Sequence, residues 1–443
     1  MRSPEREALA QRVLQRSPSD DTEVIVFDED ASLTRFTHNA IHQNVASSDV
    51  VVRVRAVTGG RTGVAATNDL GDDGIARVVA RAVEIARLAP PDPEQAELVA
   101  SPAAAPNPAA YVAATADTSA DLRAALARRI FDAAEGSGLW AAGFVTTSRG
   151  GVTVANSRGT LQSFDGTESG VNVKQNGPTS SGFAEFYSTD VGALDGAAVG
   201  AVAAEKALRS ADPVDVAPGE WTVVLEPPAF GELAAFLAEH FSAQSYDEGS
   251  SFFSGKRGER FAGENVTIVD DVRHALNPAM PFDYEGTPTQ RVVLMEGGAA
   301  RGLVTDDRWA RKLGIDNTGH ALPAPNAFGP FAGHLVIEPG TLTRDELVAA
   351  TKRGLLISRL WYVRTVDQRQ TIVTGMTRDG TFLIENGQVT RGVRNLRFNQ
   401  SIVEALGSCT FARELVRTAS YSYSMVVPAV RFERFTFSST TQF

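Results

Sequence analysis

Apolar residues change their spacing several times along this 443-residue chain, and the changes outline its elements. A helix-period stretch spans Pro4 to Gln15. Two-residue alternation follows in TEVIVFDED and LTRFTHNAIHQNV, and it is cleanest from Val50 to Val57. The turn TGGR reverses the chain into TGVAATND, which predicts a hairpin. Asp69 to Asp73 starts a helix that places Ile75, Val78, Val79, Ala82, Ile85 and Ala86 on one face. Residues 89–114 are rich in proline and alanine (APPDPEQAE, SPAAAPNPAA) and read as a linker.

A similar order of elements then returns. A helix is predicted over Ser119 to Glu135, followed by strands in LWAAGFVTTS, GVTVANS, GTLQSFD, ESGVNVKQN and SGFAEFYSTD. A helix from Leu194 to Leu208 closes the set. RTGVAATNDLGDDGIARVVARAVEIAR and SSGFAEFYSTDVGALDGAAVGAVAAEKAL both run from a glycine-bearing strand through an acidic turn into an alanine-rich helix. This suggests an internal repeat offset by roughly 120 residues. SADPVDVAPGEW marks a second boundary. Beyond it come a strand (WTVVLEP), an amphipathic helix ending near His240, and mostly strands. Hairpin turns are predicted at Gly297-Gly298 and Asn386-Gly387, and helices at Asp306–Leu313, Thr343–Gly354 and Ser401–Leu406. The expected class is α+β, with two β-sheet-plus-helix units in the N-terminal region and a C-terminal domain dominated by a large antiparallel sheet with a few helices. The expected boundaries are 1–90, a linker at 91–115, a central unit at 116–212 and a C-terminal domain at 216–443.

Charge bears on partners. A net charge of -11 argues against a nucleic-acid binder, which needs a concentrated basic surface, and it serves solubility. The single cysteine, Cys409, cannot form an internal disulfide, so no oxidising compartment is implied; it reads as a partly buried, inert thiol. The N-terminal MRSPEREALAQRVLQRS lacks an apolar secretory core, and no window reaches the ~20 apolar residues of a membrane span. A cytoplasmic protein is expected, with no membrane partner.

Candidate chemistry is sparse. The amphipathic helix aligns Phe230, Leu233, Ala234, Leu237 and Phe241. His240 follows Glu239, with Phe236 four before it and Gln244 four after, so its face carries no second metal ligand. His38 and His42 lie four apart in a strand pattern, where they would be ~13 Å apart, too far to share an ion at ~2 Å. His274, His320 and His334 are isolated in sequence. Asp270-Asp271 and Asp283/Glu285 could do acid–base work, but carboxylates in loops are ordinarily solvated. The serines of GSSFFSG have turn chemistry. No nucleophile elbow, P-loop or dinucleotide fingerprint occurs.

Five ordered stretches nevertheless resemble the TldD/PmbA (TldE) metalloprotease family: RFTHNAIHQNVASSDVVVRVRAVTGGRTGVAATNDL, GSSFFSGKRGERFAGENVTIVDD, FDYEGTPTQRVVLMEGGAARGLVTD, RKLGIDNTGHA and FLIENGQVTRGVRNLRF. The resemblance implies a cytoplasmic system that degrades or trims unstructured peptides. Its TldD subunits hold zinc on a helix with H-E-x-x-x-H and a cysteine late in the chain, whereas PmbA-type subunits lack those ligands and pair with TldD. Anchored on GSSFFSG, the two histidine positions fall on Ala234 and Glu239, and the glutamate on Ala235. A shift of one brings in His240 but leaves Ala235 and Phe236. SYSYSMVVPAVRF has no cysteine, and Cys409 lies too early. The resemblance therefore implies a PmbA-type subunit with no catalytic or metal residue and no cofactor of its own, zinc being held by a TldD-like partner in a heterodimer. Two alternatives stay open: an active metallopeptidase with a non-standard zinc site, and a stand-alone peptide-binding scaffold.

Overall fold

The computed structural model describes residues 1–94, 98, 100–420 and 423–441, which form two sheets, one of six strands and one of eleven. The first contains β1 (Asp21–Thr37), β2 (Ala40–Thr58), β3 (Arg61–Thr67), β4 (Trp140–Asn156), β5 (Leu161–Asn176) and β6 (Ser181–Ser188). Its order is β3-β2-β1-β4-β5-β6, all antiparallel. The two predicted units are thus halves of one continuous sheet joined at β1 and β4. Helices α1 (Ser3–Leu14) and α2 (Asp72–Leu88) cover the first half. Beyond the single turn α3 (Ala113–Ala116), α4 (Ala120–Asp132) and α5 (Gly196–Arg209) cover the second.

The repeat is visible in a packing detail. A side chain at Gly63 on β3 would place its Cβ 2.1 Å from Ala82 O and 2.3 Å from Ala86 N of α2. At Gly182 on β6 it would lie 2.2 Å from Ala203 O and 2.4 Å from Ala207 N of α5. In both halves the closing helix lies directly on the backbone of the third strand, an approach open to glycine alone.

Several predicted strands merge. TEVIVFDED and the following LTRFT are one strand, as are the two segments either side of Arg149–Gly151 and those either side of Gly166. The polar stretches between them do not break the ladder, because neighbours on both sides of β1, β4 and β5 hold the backbone extended. Of the expected linker, residues 95–97 and 99 lie outside the described residues; further along it, the Asn107 amide donates to Val272 O (3.0 Å) and Ala279 O (2.9 Å).

The C-terminal region begins with β7 (Gly219–Leu225), α6 (Pro227–Ala234), a 3-10 helix (Ala235–Phe241) and α7 (Ala243–Asp247). Next come β8 (Ile268–Asp270), β9 (Val292–Glu296), β10 (Ala299–Ala300), α8 (Asp307–Leu313), β11 (Leu335–Ile337) and α9 (Arg344–Ala349). The long strands β12 (Arg353–Asp367) and β13 (Ile372–Glu385), β14 (Gln388–Gly392), β15 (Leu396–Ser401), α10 (Ile402–Leu406), β16 (Cys409–Ser420) and β17 (Tyr423–Thr440) complete it. The sheet is mostly antiparallel, but β11–β17 and β12–β7 are parallel. The helix expected to reach Gly354 ends at Ala349, and Arg353 already belongs to β12. The Asn386-Gly387 hairpin forms as expected, with φ of 51° and 78°. Among the described residues no helix is long and apolar enough to cross a membrane.

The two domains meet across the face of the six-stranded sheet away from its helices. There Ile25, Phe27, Val152, Val154 and Phe164 pack against Met280, Phe282 and Tyr284.

Candidate functional site

α6 starts where β7 runs into Pro227-Pro228, residues preset for a first helical turn. Phe230, Leu233, Ala234, Leu237 and Phe241 are fully buried in the largest core, as the pattern predicts. After Ala234 the helix tightens into the 3-10 form through Phe241. It also lies hard against β16: a Cβ on Gly231 would come within 2.2 Å of Thr418 Oγ1.

This packing shows where the residues expected at the zinc-motif positions lie. Ala234 is sealed in the core, and Ala235 is partly buried against it. Glu239 is exposed, and its carboxylate accepts a hydrogen bond from the Gln368 amide. Methyl groups donate no electron pair to a metal, and Glu239 gathers no second donor, so these residues do not fit zinc. Among the described residues no group of three or more His, Cys, Asp or Glu could hold a metal ion.

His240 is buried beside Phe252, with ring centroids 5.3 Å apart, and its Nδ1 accepts the Phe252 N–H at 3.3 Å. Burial pushes its pKa down to about 4, so it is a neutral core residue at physiological pH. Phe252 and Phe253 belong to an aromatic cluster with Phe241, Tyr246 and Phe261. The serines around them form turns, with the N–H groups of Ser250 and Ser251 both donating to Ser245 O at 3.0 Å.

The remaining histidines separate clearly. His38 sits in the β1–β2 turn (φ 49°), stacked on Trp140 at 4.1 Å, while His42 lies exposed on β2. The segment is not helical, as expected. The His274 ring accepts the Leu276 N–H. Two of the isolated histidines do converge, on Asp270. His320 Nε2 lies 3.1 Å from Asp270 Oδ1, and the His334 backbone N–H donates to Oδ2 at 2.9 Å. His320 Nδ1 is 2.9 Å from Thr318 Oγ1, so both of its ring nitrogens are engaged.

Of the acidic residues expected to be solvated, Asp270, Asp283 and Glu285 turn inward, while Asp271 stays near the surface, paired with Arg291. Asp270 is fully buried at the end of β8. Burial alone would raise its pKa, but His320 and the His334 N–H pull it below the ordinary carboxylate value. Asp283 is buried, accepting N–H groups of Glu285 (3.0 Å), Thr287 (2.9 Å) and Ala321 (2.9 Å). Glu285 faces Arg55 across the domain boundary at 3.9 Å and accepts the Asp307 N–H at the start of α8. Arg55 also pairs with buried Glu23 at 2.7 Å. Burial holds both Asp283 and Glu285 well above the usual carboxylate range. Spacing gives no sign of these inward orientations, which depend on strands and loops from distant parts of the chain. The Cys409 thiol is partly buried and pushed up to about 12, an inert state that matches its reading from sequence.

Known proteins share the fold and parts of the sequence. Residues 218–439 match the family model described as PmbA/TldA metallopeptidase C-terminal domain, and residues 22–86 match PmbA/TldA metallopeptidase domain 1. The chain is 27% identical over 212 residues to a metalloprotease of Methanothermobacter thermautotrophicus, which covers 46% of this chain and 44% of that protein. It is 28% identical over 169 residues to the metalloprotease TldD homolog of Haemophilus influenzae, 35% of this chain and 33% of that one. It therefore spans less than half the length of these two relatives. Metalloprotease PmbA of Escherichia coli O157:H7 is matched more fully, at 26% identity over 392 residues, 84% of this chain and 82% of that protein. In fold, the chain is similar to TldE of Thermococcus kodakarensis, with a TM-score of 0.89 at 22% identity over 98% of this chain and 100% of that one. A putative modulator of a DNA gyrase from Thermotoga maritima gives 0.86 at 17% identity, over 98% and 100%. By the C-terminal match alone, which spans half of its residues, this chain belongs to the PmbA/TldD metallopeptidase family.

Proposed function

We propose that this chain is a non-catalytic, PmbA-type subunit that pairs with a zinc-bearing TldD-like chain in a cytoplasmic system acting on unstructured peptides. The observation that carries the reading is the helix at the zinc-motif position. It presents Ala234 to the core, Ala235 to the core margin and Glu239 to solvent, and its conspicuous His240 is buried and neutral. A helix without ligands activates no water and supplies no general base. The chain's work in this reading is to complete the heterodimer and enclose the peptide.

The test is expression of the chain alone and together with a TldD-like chain of its own organism. Alone, it is expected to carry no stoichiometric zinc and to cleave no peptide. Together, the two are expected to co-elute, with one zinc per heterodimer and peptide cleavage. One tightly held zinc per chain in the lone protein would overturn the reading, as would failure of the two chains to associate.

A further inference from the structure

We infer that the cavity between the two domains binds an uncharged aromatic side chain of an extended peptide, with the His334 imidazole hydrogen-bonded to the polar tip of that side chain. This rests on the peptide-handling part of the proposed function and adds a recognition site to it.

The cavity measures about 390 Å³, within the ordinary range for a ligand site, and it lies at a domain boundary, where such sites concentrate. Its walls are apolar and aromatic and come from both domains: Val152 and Phe164 from the six-stranded sheet, and Phe282, Tyr284, Phe331 and Tyr423 from the C-terminal domain. Phe331 and Tyr423 pack ring to ring at 4.6 Å. Aromatic walls suit another ring, which gains offset or edge-on contacts beyond its area burial.

The charged side chains of the cavity's own lining are already committed. Asp283 accepts three backbone N–H groups, and His320 is bonded to Asp270, which also accepts the His334 backbone N–H. Arg417 pairs with Glu168 at 2.6 Å and keeps its Nε and Nη1 unpartnered, but it lines the neighbouring cavity instead. No charged side chain of this lining is left to recognise an ionic ligand, so an ionised side chain would enter without a counter-ion in the chamber wall. Two polar tips are left over. Among the described residues, neither ring nitrogen of His334 makes a hydrogen bond, since its bonds to Asp270 and Asp271 are through the backbone, and the Tyr284 hydroxyl makes none. An apolar chamber with an unengaged neutral imidazole selects a ligand that is mostly ring and carries one hydrogen-bonding group.

The groups facing His334 are Asp270 and Asp271 at the end of β8, His320 on the loop before β11, and Arg417 on β16. Burial, helped by His320 and Arg417, outweighs the two carboxylates and keeps the imidazole below its ordinary pKa. His334 is therefore neutral at pH 7, and protonation at lower pH would put a charge into the chamber.

The test is calorimetric titration of the full chain with the capped peptides acetyl-Ala-Ala-X-Ala-Ala-amide, where X is Tyr, Phe, Lys or Glu. Tyr is expected to bind best and Phe about 5-fold more weakly, the worth of one neutral hydrogen bond. Lys and Glu are expected to give no measurable binding. His334→Leu should bring Tyr down to the Phe level without lowering Phe, and His334→Gln, which keeps hydrogen-bonding capacity, should retain part of the difference. Affinity for the Tyr peptide should fall as pH is lowered and His334 takes up a proton, while that of His334→Leu should not. Equal binding of the Lys or Glu peptide, survival of the Tyr–Phe difference in His334→Leu, or absence of binding by every peptide would overturn the proposal. Should His334→Leu fail to fold, His334→Gln and the pH profile decide. Co-elution with a TldD-like chain is read separately, so a chain that pairs but does not discriminate Tyr from Lys overturns this inference alone.

Discussion

Asp270 and His320 meet at 3.1 Å, 50 residues apart in sequence, with both side chains sealed from water. Asp270 also receives the His334 N–H, so one carboxylate ties β8 to two loops. Asp270→Ala leaves a buried imidazole and a buried N–H without acceptors. It should lower the unfolding free energy by ~3 kcal/mol in denaturant titration. Asp271→Ala, next along the chain but paired with Arg291 near the surface, should change it by ~1 kcal/mol or less.

His240 makes stability depend on pH. Its folded pKa is near 4, against 6.5 for the free imidazole. Between those values the unfolded chain binds more protons, so stability falls as pH drops through that window, by up to ~3 kcal/mol. His240→Leu should be ~1 kcal/mol less stable at pH 8, having lost the acceptor for the Phe252 N–H. Its unfolding free energy should vary much less between pH 6.5 and pH 4. Equal slopes for the two proteins would show that His240 is not held neutral.

Glu285 carries the opposite sign. Its folded pKa is raised, so its contribution is fully present below the unfolded value near 4.5 and is lost as pH rises through the folded one. Glu285→Gln should therefore gain stability relative to the parent from pH 5 to pH 9, as measured by melting temperature across the series.

Restoring the zinc motif by substitution should fail structurally. Ala234 has no exposed surface, so Ala234→His forces an imidazole into a packed core at a cost of ~2 kcal/mol or more. Ala235→Glu, at the core margin, should be far milder. Metal analysis of the combined variant Ala234→His, Ala235→Glu, Glu239→His is expected to show no stoichiometric zinc, and a melting-temperature series should locate the damage at Ala234.

The sequence was most readable where the interactions are local. Helix faces such as Ile75–Ala86, the Asn386-Gly387 turn and the apolar stripe from Phe230 to Phe241 all follow from neighbours a few residues apart. So did the repeat. What escaped was set by distant partners. That the two halves share a sheet depends on β1 pairing with β4, over 100 residues away, and that pairing also carries the polar Asp28–Ser32 stretch as strand. The burial of Asp270 and Asp283, and the convergence of His320 and His334, are made by loops brought together only in the folded state. The two phenylalanines of GSSFFSG, flanked by its serines, pack on Phe241 at the end of the helix, a contact that the turn chemistry of the serines does not announce.

Gly63 and Gly182 hold the same post in the two halves of the six-stranded sheet, each lying under the carbonyl of its closing helix. The β1–β4 seam is then equivalent to a two-fold contact between like subunits, made permanent by a tether. Covalent linkage gives such a contact an effective concentration in the millimolar range, whatever the dilution of the protein. The sheet's assembly is thereby freed from mass action, and each half can diverge on its own. The half carrying β1–β3 keeps the arginine that reaches Glu285 across the boundary, and the other half supplies Phe164 to the chamber wall.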